Sequence, residues 1–261
     1  MLVRQILLHA IAAGALVGAV LAETPAAQLI EPNKPPVPPG RDPGGVAVAL
    51  IGTGIDYTLP DLARRLARDG EGELIGWDLQ DQDRKPFDNS KGAALPEWGG
   101  DSTLVASLLI GAPTVRLVPV RVEPGDPVGL ARALAFVAQT PARIAVLAMW
   151  SNSPVRWEPF REAARRFNNV LVIVPAGQGA EPAYPGALGL DNVLAVAPGT
   201  ARPEAAGFGG ATWRVAPAVA AVAAAGSAAA ELLAREPALD AAALKRRLGE
   251  AGGAAPWQAK R

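Results

Sequence analysis

From Val46 onward, the chain alternates between short, uninterrupted apolar runs and longer segments with helical periodicity. The apolar runs are rich in β-branched residues and read VAVALIG, ELIGWDL, VRLVPVRV, RIAVLAMW, VLVIVPAG and NVLAVAP. The helical segments between them read LPDLARRLA, DSTLVASLLIG, VGLARALAFVAQ and WEPFREAARRFNN. Strands that are apolar on both faces occur in parallel sheets covered by helices on each side. The alternation therefore predicts an α/β fold with a doubly wound, mostly parallel sheet.

The N-terminus has the composition of an export signal. Residues 1–22 combine the basic Arg4 with a long apolar run and with small residues at Val20 and Ala22. This pattern is typical of a signal peptide that is cleaved before Glu23. An uncleaved segment that anchors the protein in a membrane is the alternative. Either interpretation predicts an exported protein, periplasmic or secreted, with no contact to the membrane beyond this segment.

The regions that flank the alternating body are distinct from it. Residues 23–45 are so rich in proline that they cannot form a helix or a central strand, and they predict an extended linker or arm. We expect one domain over residues 46–250, which ends in an alanine-rich helix, a break at Pro237 and an amphipathic helix. A short tail, residues 251–261, follows.

Charge and the missing residue types exclude several classes of function. The chain has 25 basic and 25 acidic residues, and cleavage after Ala22 would remove Arg4 and leave a net charge of −1. A near-neutral chain lacks the clustered positive charge that nucleic-acid binding requires, so we expect no nucleic-acid partner. There is no cysteine, and His9 is the only histidine. The mature chain therefore lacks the residues that form most zinc and copper sites, and it has no cysteine nucleophile; we predict no cofactor.

Four segments together resemble the subtilisin-like serine proteases, or subtilases, in order and spacing. Residues 48–62, VALIGTGIDYTLPDL, resemble the family's V-I-D-T-G-I-D-x-x-H-P-D-L. An acidic loop followed by DSTLVASLLIG and VRLVPVRV resembles the region around H-G-T-H-V-A and the next strand. Residues 170–198 resemble V-V-A-A-A-G-N-x-G…Y-P-A…N-V-I-A-V-G-A, and residues 231–248 resemble the closing helix pair. The resemblance implies the family's three-layer fold, with helices on both faces of the sheet.

The same alignment places non-catalytic residues at the family's catalytic positions. The aspartate falls on Gly52, which has no side chain to orient a histidine. The histidine falls on Asp101, whose carboxylate would be a poor base at neutral pH. We expect Asp101 to cap the helix Ser102–Ile110 instead. The oxyanion asparagine falls on Gln178, whose extra methylene would displace its amide.

The position of the family's serine has two candidates. Aligning the Ala216-Pro217 pair places it at Trp213, whereas a gapless alignment back from Pro237 places it at Val219. Neither residue is a serine, so the resemblance implies a degenerate member without a catalytic triad. Trp213 would either anchor a partner, since tryptophan is enriched at binding hot spots, or plug the old substrate cleft.

The acidic loop is a weak candidate for a calcium site. Its carboxylates have the oxygen ligands that calcium prefers, but their spacing matches no defined calcium motif. The basic residues Arg84 and Lys85 lie within the loop and could neutralise it. We expect a solvated loop without metal. The carboxylates in question are Asp78, Asp81, Asp83 and Asp88.

The residues that remain favour binding over catalysis. Several tryptophans fall in loops or at strand ends, where an α/β sheet forms its ligand crevice. We single out Trp213 and Trp150 as candidate contacts; Trp98 and Trp157 complete the set. The predicted function is an inactive subtilisin-like domain that serves as a binding or scaffold subunit for an unidentified protein partner.

Two alternatives remain open at this point. The first is a residual hydrolase with relocated carboxylate chemistry, for which Asp101 and Glu97 are the nearest acidic pair. The second is a purely structural protein of the cell envelope.

Overall fold

The central sheet forms as the apolar runs predict, and all of its strands are parallel. The computed structural model describes residues 34–88, 102–177, 181–197, 205–208, 211–214 and 217–252. Its strands are β1 (Val46–Gly52), β2 (Trp77–Asp78), β3 (Val115–Arg121), β4 (Ile144–Leu147), β5 (Leu171–Pro175), β6 (Val193–Val196), β7 (Ala205–Phe208) and β8 (Ala211–Arg214). Its helices are α1 (Pro60–Ala63), α2 (Ser102–Leu109), α3 (Pro127–Val137), α4 (Glu158–Arg166), α5 (Pro217–Arg235) and α6 (Ala241–Gly252). The first six strands form one sheet in the order β2-β3-β1-β4-β5-β6, and β7 and β8 form a separate antiparallel pair.

Alternate residues of β1 face opposite layers of the core. Val48 and Leu50 pack in a cluster with apolar side chains of α2, α5 and α6. Ala49 and Ile51 pack in a second cluster with side chains of α3 and α4. Both clusters exclude water from the sheet, which is why the strands are apolar on both faces. The predicted three-layer α/β fold is confirmed.

The alanine-rich helix α5 lies directly against the sheet. A Cβ atom added to Gly226 would lie 2.7 Å from Val146 Cγ2 and 2.8 Å from Leu109 Cδ2, so no larger side chain fits between helix and strand. Among the described helices, α5 is long and apolar enough, by length and composition alone, to cross a membrane. A core helix meets the same criterion, and the contacts of α5 with the sheet account for its apolar sequence.

Two elements are shorter than predicted. The helical pattern LPDLARRLA predicts the helix Leu62–Arg68, but α1 stops at Ala63. Beyond it the backbone turns to pair with β3: Leu117 N donates to Arg65 O, and Ala67 N donates to Leu117 O. The run ELIGWDL contributes only the two residues of β2 at the edge of the sheet. The β7–β8 hairpin was not predicted, since its alanine- and glycine-rich sequence has no strand signal.

Residues 34–45 form an arm that carries no helix or strand and lies against the domain. The hydroxyl of Tyr57 donates to Pro35 O at 2.7 Å. At the far end, the Asp42 carboxylate accepts a hydrogen bond from Arg68 N at 2.7 Å and pairs with Arg116. The described part of the proline-rich segment is therefore attached to the domain along its length.

Candidate functional site

The candidate site lies at the carboxyl edge of the sheet, where open α/β sheets bind their ligands. β1 is central, with Gly52 opposite Arg121 of β3 on one side and Ile51 opposite Leu147 of β4 on the other. The first turn of α2 packs beside the end of β1. This is the place to which the resemblance assigns the family's aspartate.

The space beside Gly52 is filled by Ser102. A Cβ atom added to Gly52 would lie only 1.9 Å from Ser102 Oγ and 3.0 Å from Ser102 Cβ. The hydroxyl is held there because it accepts a hydrogen bond from Thr53 N at 3.0 Å, and Ser102 is 4% exposed. A carboxylate side chain at position 52 therefore has no room in this packing.

Thr103, the next residue of α2, fixes another part of the loop that follows β1. Thr103 Oγ1 accepts a hydrogen bond from Asp56 N at 3.0 Å. The Asp56 carboxylate in turn accepts from Thr58 N at 3.1 Å, which closes a local turn. The two hydroxyls that begin α2 thus hold backbone amides, and the region around the old aspartate position is organised for packing.

The other positions of the degenerate triad are only partly described. Asp101 and Gln178 lie outside the described residues, as do Trp98 and Glu97, so capping by Asp101 stays a prediction. Val219 is the third residue of α5 and is 3% exposed, within the core.

The second candidate for the serine position lies in a different element. Trp213 belongs to β8, and its backbone is opposite Ala206 of β7. The two alignments therefore place the serine position either in the hairpin or in the first turn of α5, and the choice between them stays open.

Two of the candidate tryptophans have described side chains, and both are buried. Trp157 was expected at the crevice, but it is 1% exposed, stacks edge-on against Phe160 with ring centroids 5.6 Å apart, and donates from Nε1 to Ser151 Oγ at 2.8 Å. It belongs to the core. Trp150 follows β4 and is 7% exposed, so its role as a partner contact stays a prediction that requires the ring to become accessible.

The acidic loop forms a buried ion cluster, whereas we expected a solvated loop. Asp78 is fully buried and accepts hydrogen bonds from Lys34 Nζ at 2.6 Å and from Arg121 Nη1 at 2.7 Å. Asp81 lies 2.7 Å from Lys34 Nζ and 2.9 Å from Arg121 Nη1, and Asp83 lies 3.1 Å from Lys34 Nζ. The cations that neutralise the loop therefore come from the arm and from the end of β3.

The remaining members of the acidic segment are arranged differently. Arg84, which we expected to neutralise the loop, lies 3.9 Å from Asp69. Asp88 pairs through its backbone, since its N–H donates to Ile55 O at 3.2 Å. Within the described ranges, no group of three or more acidic or histidine side chains is placed to hold a metal ion. Lysine and arginine groups occupy the carboxylate oxygens that a cation would need.

The contacts in the cluster favour the charged forms of Lys34 and Asp81. Burial alone would lower the pKa of Lys34, but hydrogen bonds to Asp78, Asp81 and Asp83 outweigh burial and hold that pKa above its usual value. The hydrogen bond from Lys34 is the main reason that the pKa of Asp81 is below its usual value, and Arg121 adds to the effect. General acid–base catalysis needs a group that gains and loses a proton near the working pH. These shifts move the pKa values of Lys34 and Asp81 away from that range, so we assign the cluster a structural role.

The central residues of this region were not evident from the sequence. Lys34 sits in a proline-rich segment, and Ser102 stands in a helix start; neither has a motif that marks it. The weak signals were a basic residue, Arg121, at the end of an otherwise apolar strand and a helix that begins with two hydroxyl residues. Both become informative only when the fold brings their partners close.

No protein-family model matches the sequence, and no curated protein matches it. Solved structures do match. A cold-adapted subtilisin-like serine proteinase superposes with a TM-score of 0.54 at 17% identity, over 84% of this chain and 87% of that chain. A lanthipeptide protease superposes with a TM-score of 0.57 at 17% identity, over 78% of this chain and 80% of that chain. The chain has a subtilisin-like fold.

The subtilisin-like fold is shared with a third protein, the MycP3 protease from the type VII (ESX-3) secretion system. Its TM-score is 0.51 at 16% identity, over 79% of this chain and 76% of that chain. The resemblance inferred from the four sequence segments is thus confirmed at the level of the fold. A fold does not fix the chemistry of its site, so function has to be argued from the residues at the carboxyl edge.

Proposed function

We propose that this protein is a catalytically inactive subtilisin-like domain that works as a binding or scaffold subunit in the cell envelope or outside the cell. The contact between Gly52 and Ser102 carries the first half of the proposal. In a Ser-His-Asp mechanism, the carboxylate orients the histidine and stabilises its charged form. Here a serine hydroxyl fills the place of that carboxylate, and no side chain fits at position 52.

The residue inventory supports the same conclusion. His9 is the only histidine in the sequence, and the apolar segment around it precedes the described domain. A serine hydroxyl is a weak nucleophile until a base removes its proton. A subtilisin-like domain without a histidine has no group with the usual pKa for that role.

The binding role is inferred because the catalytic residues are missing and because of the expected location of the protein. Open α/β sheets bind their ligands at the carboxyl edge, and this edge is where a partner segment would bind. The apolar residues 6–22 favour export. A protein of the same fold, MycP3, is described as the protease of a secretion system, and by analogy we place this chain beside other exported or membrane proteins.

The purified protein is expected to show no serine peptidase activity. It should neither turn over a fluorogenic peptide library nor react with a fluorophosphonate probe, because no base activates a serine. An active subtilisin-like protease, tested in parallel, provides the positive control. Covalent labelling of any serine, located by mass spectrometry, would contradict the inactive assignment.

Trp213→Ala is expected to weaken binding of the partner by about 2 kcal/mol, the scale of a hot-spot residue, with little change in melting temperature. The partner is first identified by affinity purification of the full-length protein from its native envelope fraction. Its affinity is then measured with both purified proteins. Trp157→Ala serves as the matched control, because that ring is buried in the core and its loss should lower the melting temperature.

Two results would contradict this prediction. Loss of stability in Trp213→Ala with unchanged affinity would make Trp213 a plug of the cleft. Failure to recover any specific partner from the envelope fraction would contradict the binding role itself.

A further inference from the structure

The arm runs along the edge of the sheet from its carboxyl side to its amino side. Lys34 pairs with Asp78, the last residue of β2, which also pairs with Arg121, the last residue of β3. Asp42 pairs with Arg116, near the start of β3. The arm is therefore antiparallel to the strands, and its first residue lies at the edge that holds the candidate site.

Several contacts hold this arm to three parts of the domain. Lys34 bonds Asp78 of β2 and Asp83 in the loop after it, and Pro35 O accepts from Tyr57 in the loop after β1. Pro38 O accepts from Arg68 Nη2, and Asp42 accepts from the backbone of the same arginine. These partners lie far apart in the sequence, so the arm joins distant segments of the chain.

Two contact routes lead from the arm into the loop Thr53–Leu59 at the candidate site. The ring of Tyr57, which is fully buried, packs on Phe87 with ring centroids 5.1 Å apart. The segment that contains Phe87 also pairs with the loop through its backbone, because Ile55 N donates to Pro86 O at 3.0 Å.

The second route passes through the ion cluster. Lys34 and Arg121 share the carboxylates of Asp78 and Asp81. The Arg121 side chain then lies against the loop, since a Cβ atom added to Gly54 would be 3.0 Å from Arg121 Cδ. Gly54 has a φ of +98°, a conformation that favours glycine, so the loop approaches this side chain closely.

We propose that residues 34–42 act as a strap that holds the loop Thr53–Leu59 in place, so that release of the strap loosens the site while the sheet stays folded. The interior strands β4 and β5 are buried by helices on both faces, independently of the strap. Local opening of a segment without global unfolding is a normal property of such peripheral loops. The proposal does not depend on the loss of catalysis or on a partner.

The loop offers direct reporters of its own order. The backbone amides of Thr53, Ile55 and Asp56 donate to Ser102, Pro86 and Thr103. These amides exchange slowly with solvent only while the loop is held. Hydrogen exchange, measured by mass spectrometry on the full chain, therefore reads the state of the loop separately from that of β4 and β5.

Two substitutions release the Lys34 end of the strap. Lys34→Met keeps the aliphatic stem and removes the charge, and Tyr57→Phe keeps the ring and removes the hydroxyl. In the double variant, exchange over residues 53–59 is expected to accelerate by about tenfold or more, with unchanged exchange in β4 and β5. Arg165→Met is the charge-matched control, since Arg165 pairs with Glu162 in an exposed position. In this variant, residues 53–59 should exchange as in the wild type.

Two outcomes of this measurement would contradict the proposal. Unchanged exchange over residues 53–59 in the double variant would show that the arm does not hold the loop. Acceleration by the same factor in the loop, β4 and β5 would show that the arm stabilises the whole fold and has no selective effect on the site. Tyr57→Phe alone is the milder variant, and it keeps the test informative if the double variant fails to fold.

Discussion

Gly52→Asp is expected to lower the free energy of unfolding by about 3–4 kcal/mol and to leave the protein without peptidase activity. Its Cβ would lie 1.9 Å from Ser102 Oγ, so Ser102 must move and lose its hydrogen bond from Thr53 N. The new carboxylate would also be placed in a buried site, where the loss of its hydration is costly. Urea unfolding of the variant and the wild type measures the difference.

The steric collision at position 52 and the added charge both lower the free energy of unfolding, and two further variants separate them. Gly52→Ala adds the colliding atom alone and should cost about 2 kcal/mol. Ser102→Gly removes both atoms that the new Cβ would meet, so Gly52→Ala should cost little when it is made in that background. Gly249→Ala is the matched control, since nothing lies within 4 Å of a Cβ at that position. A Gly52→Ala variant as stable as the wild type would show that the site is more open than this packing implies.

Asp78→Ala is expected to destabilise the protein by about 3–5 kcal/mol, because it removes the one fully buried carboxylate of the ion cluster and leaves fewer anions to balance its cations. Asp78 is fully buried and accepts from Lys34, Arg121 and the backbone N–H groups of Gln80 and Asp81. Its loss leaves two cations that are themselves largely buried. The free energy of unfolding from urea titration is again the measurement.

A second aspartate provides the comparison for this result. Asp61 also pairs with an arginine, Arg64, but its side chain is 81% exposed. Exposed pairs contribute little because water and salt screen them, so Asp61→Ala should unfold at nearly the same urea concentration as the wild type. Equal losses in the two variants would mean that burial does not set the strength of the Asp78 cluster.

The fold was predictable because its signal is local. The run VAVALIG is apolar at every position, and in the structure Val48 and Ile51 lie in different layers of the core. Such a run identifies a strand that is buried on both faces without knowledge of its neighbours. The end of α1 was not predictable in this way, since it depends on Leu117, which is distant in sequence.

The candidate site was also predictable only where its signal is local. Alignment alone marked Gly52 as the position of a missing aspartate, but not the atom that fills its space, because Ser102 meets Gly52 only through the packing of α2. Lys34 was assigned to a linker, since nothing near it in the sequence reveals the carboxylates that it contacts. The contacts of Ser102 and Lys34 are both made between segments that are distant in sequence, and local sequence patterns do not reveal such contacts.

The strand order also affects how the molecule can fold. The first strand of the domain, β1, is its central strand: Val46 pairs with Val115, and Val48 pairs with Ile144. During synthesis, β1 therefore has no partner until the chain has been extended through β3 and β4. Pairings of such long sequence separation make folding slow and leave apolar segments exposed meanwhile. A long-lived unfolded state makes chaperone binding to VAVALIG a step to look for in the cell.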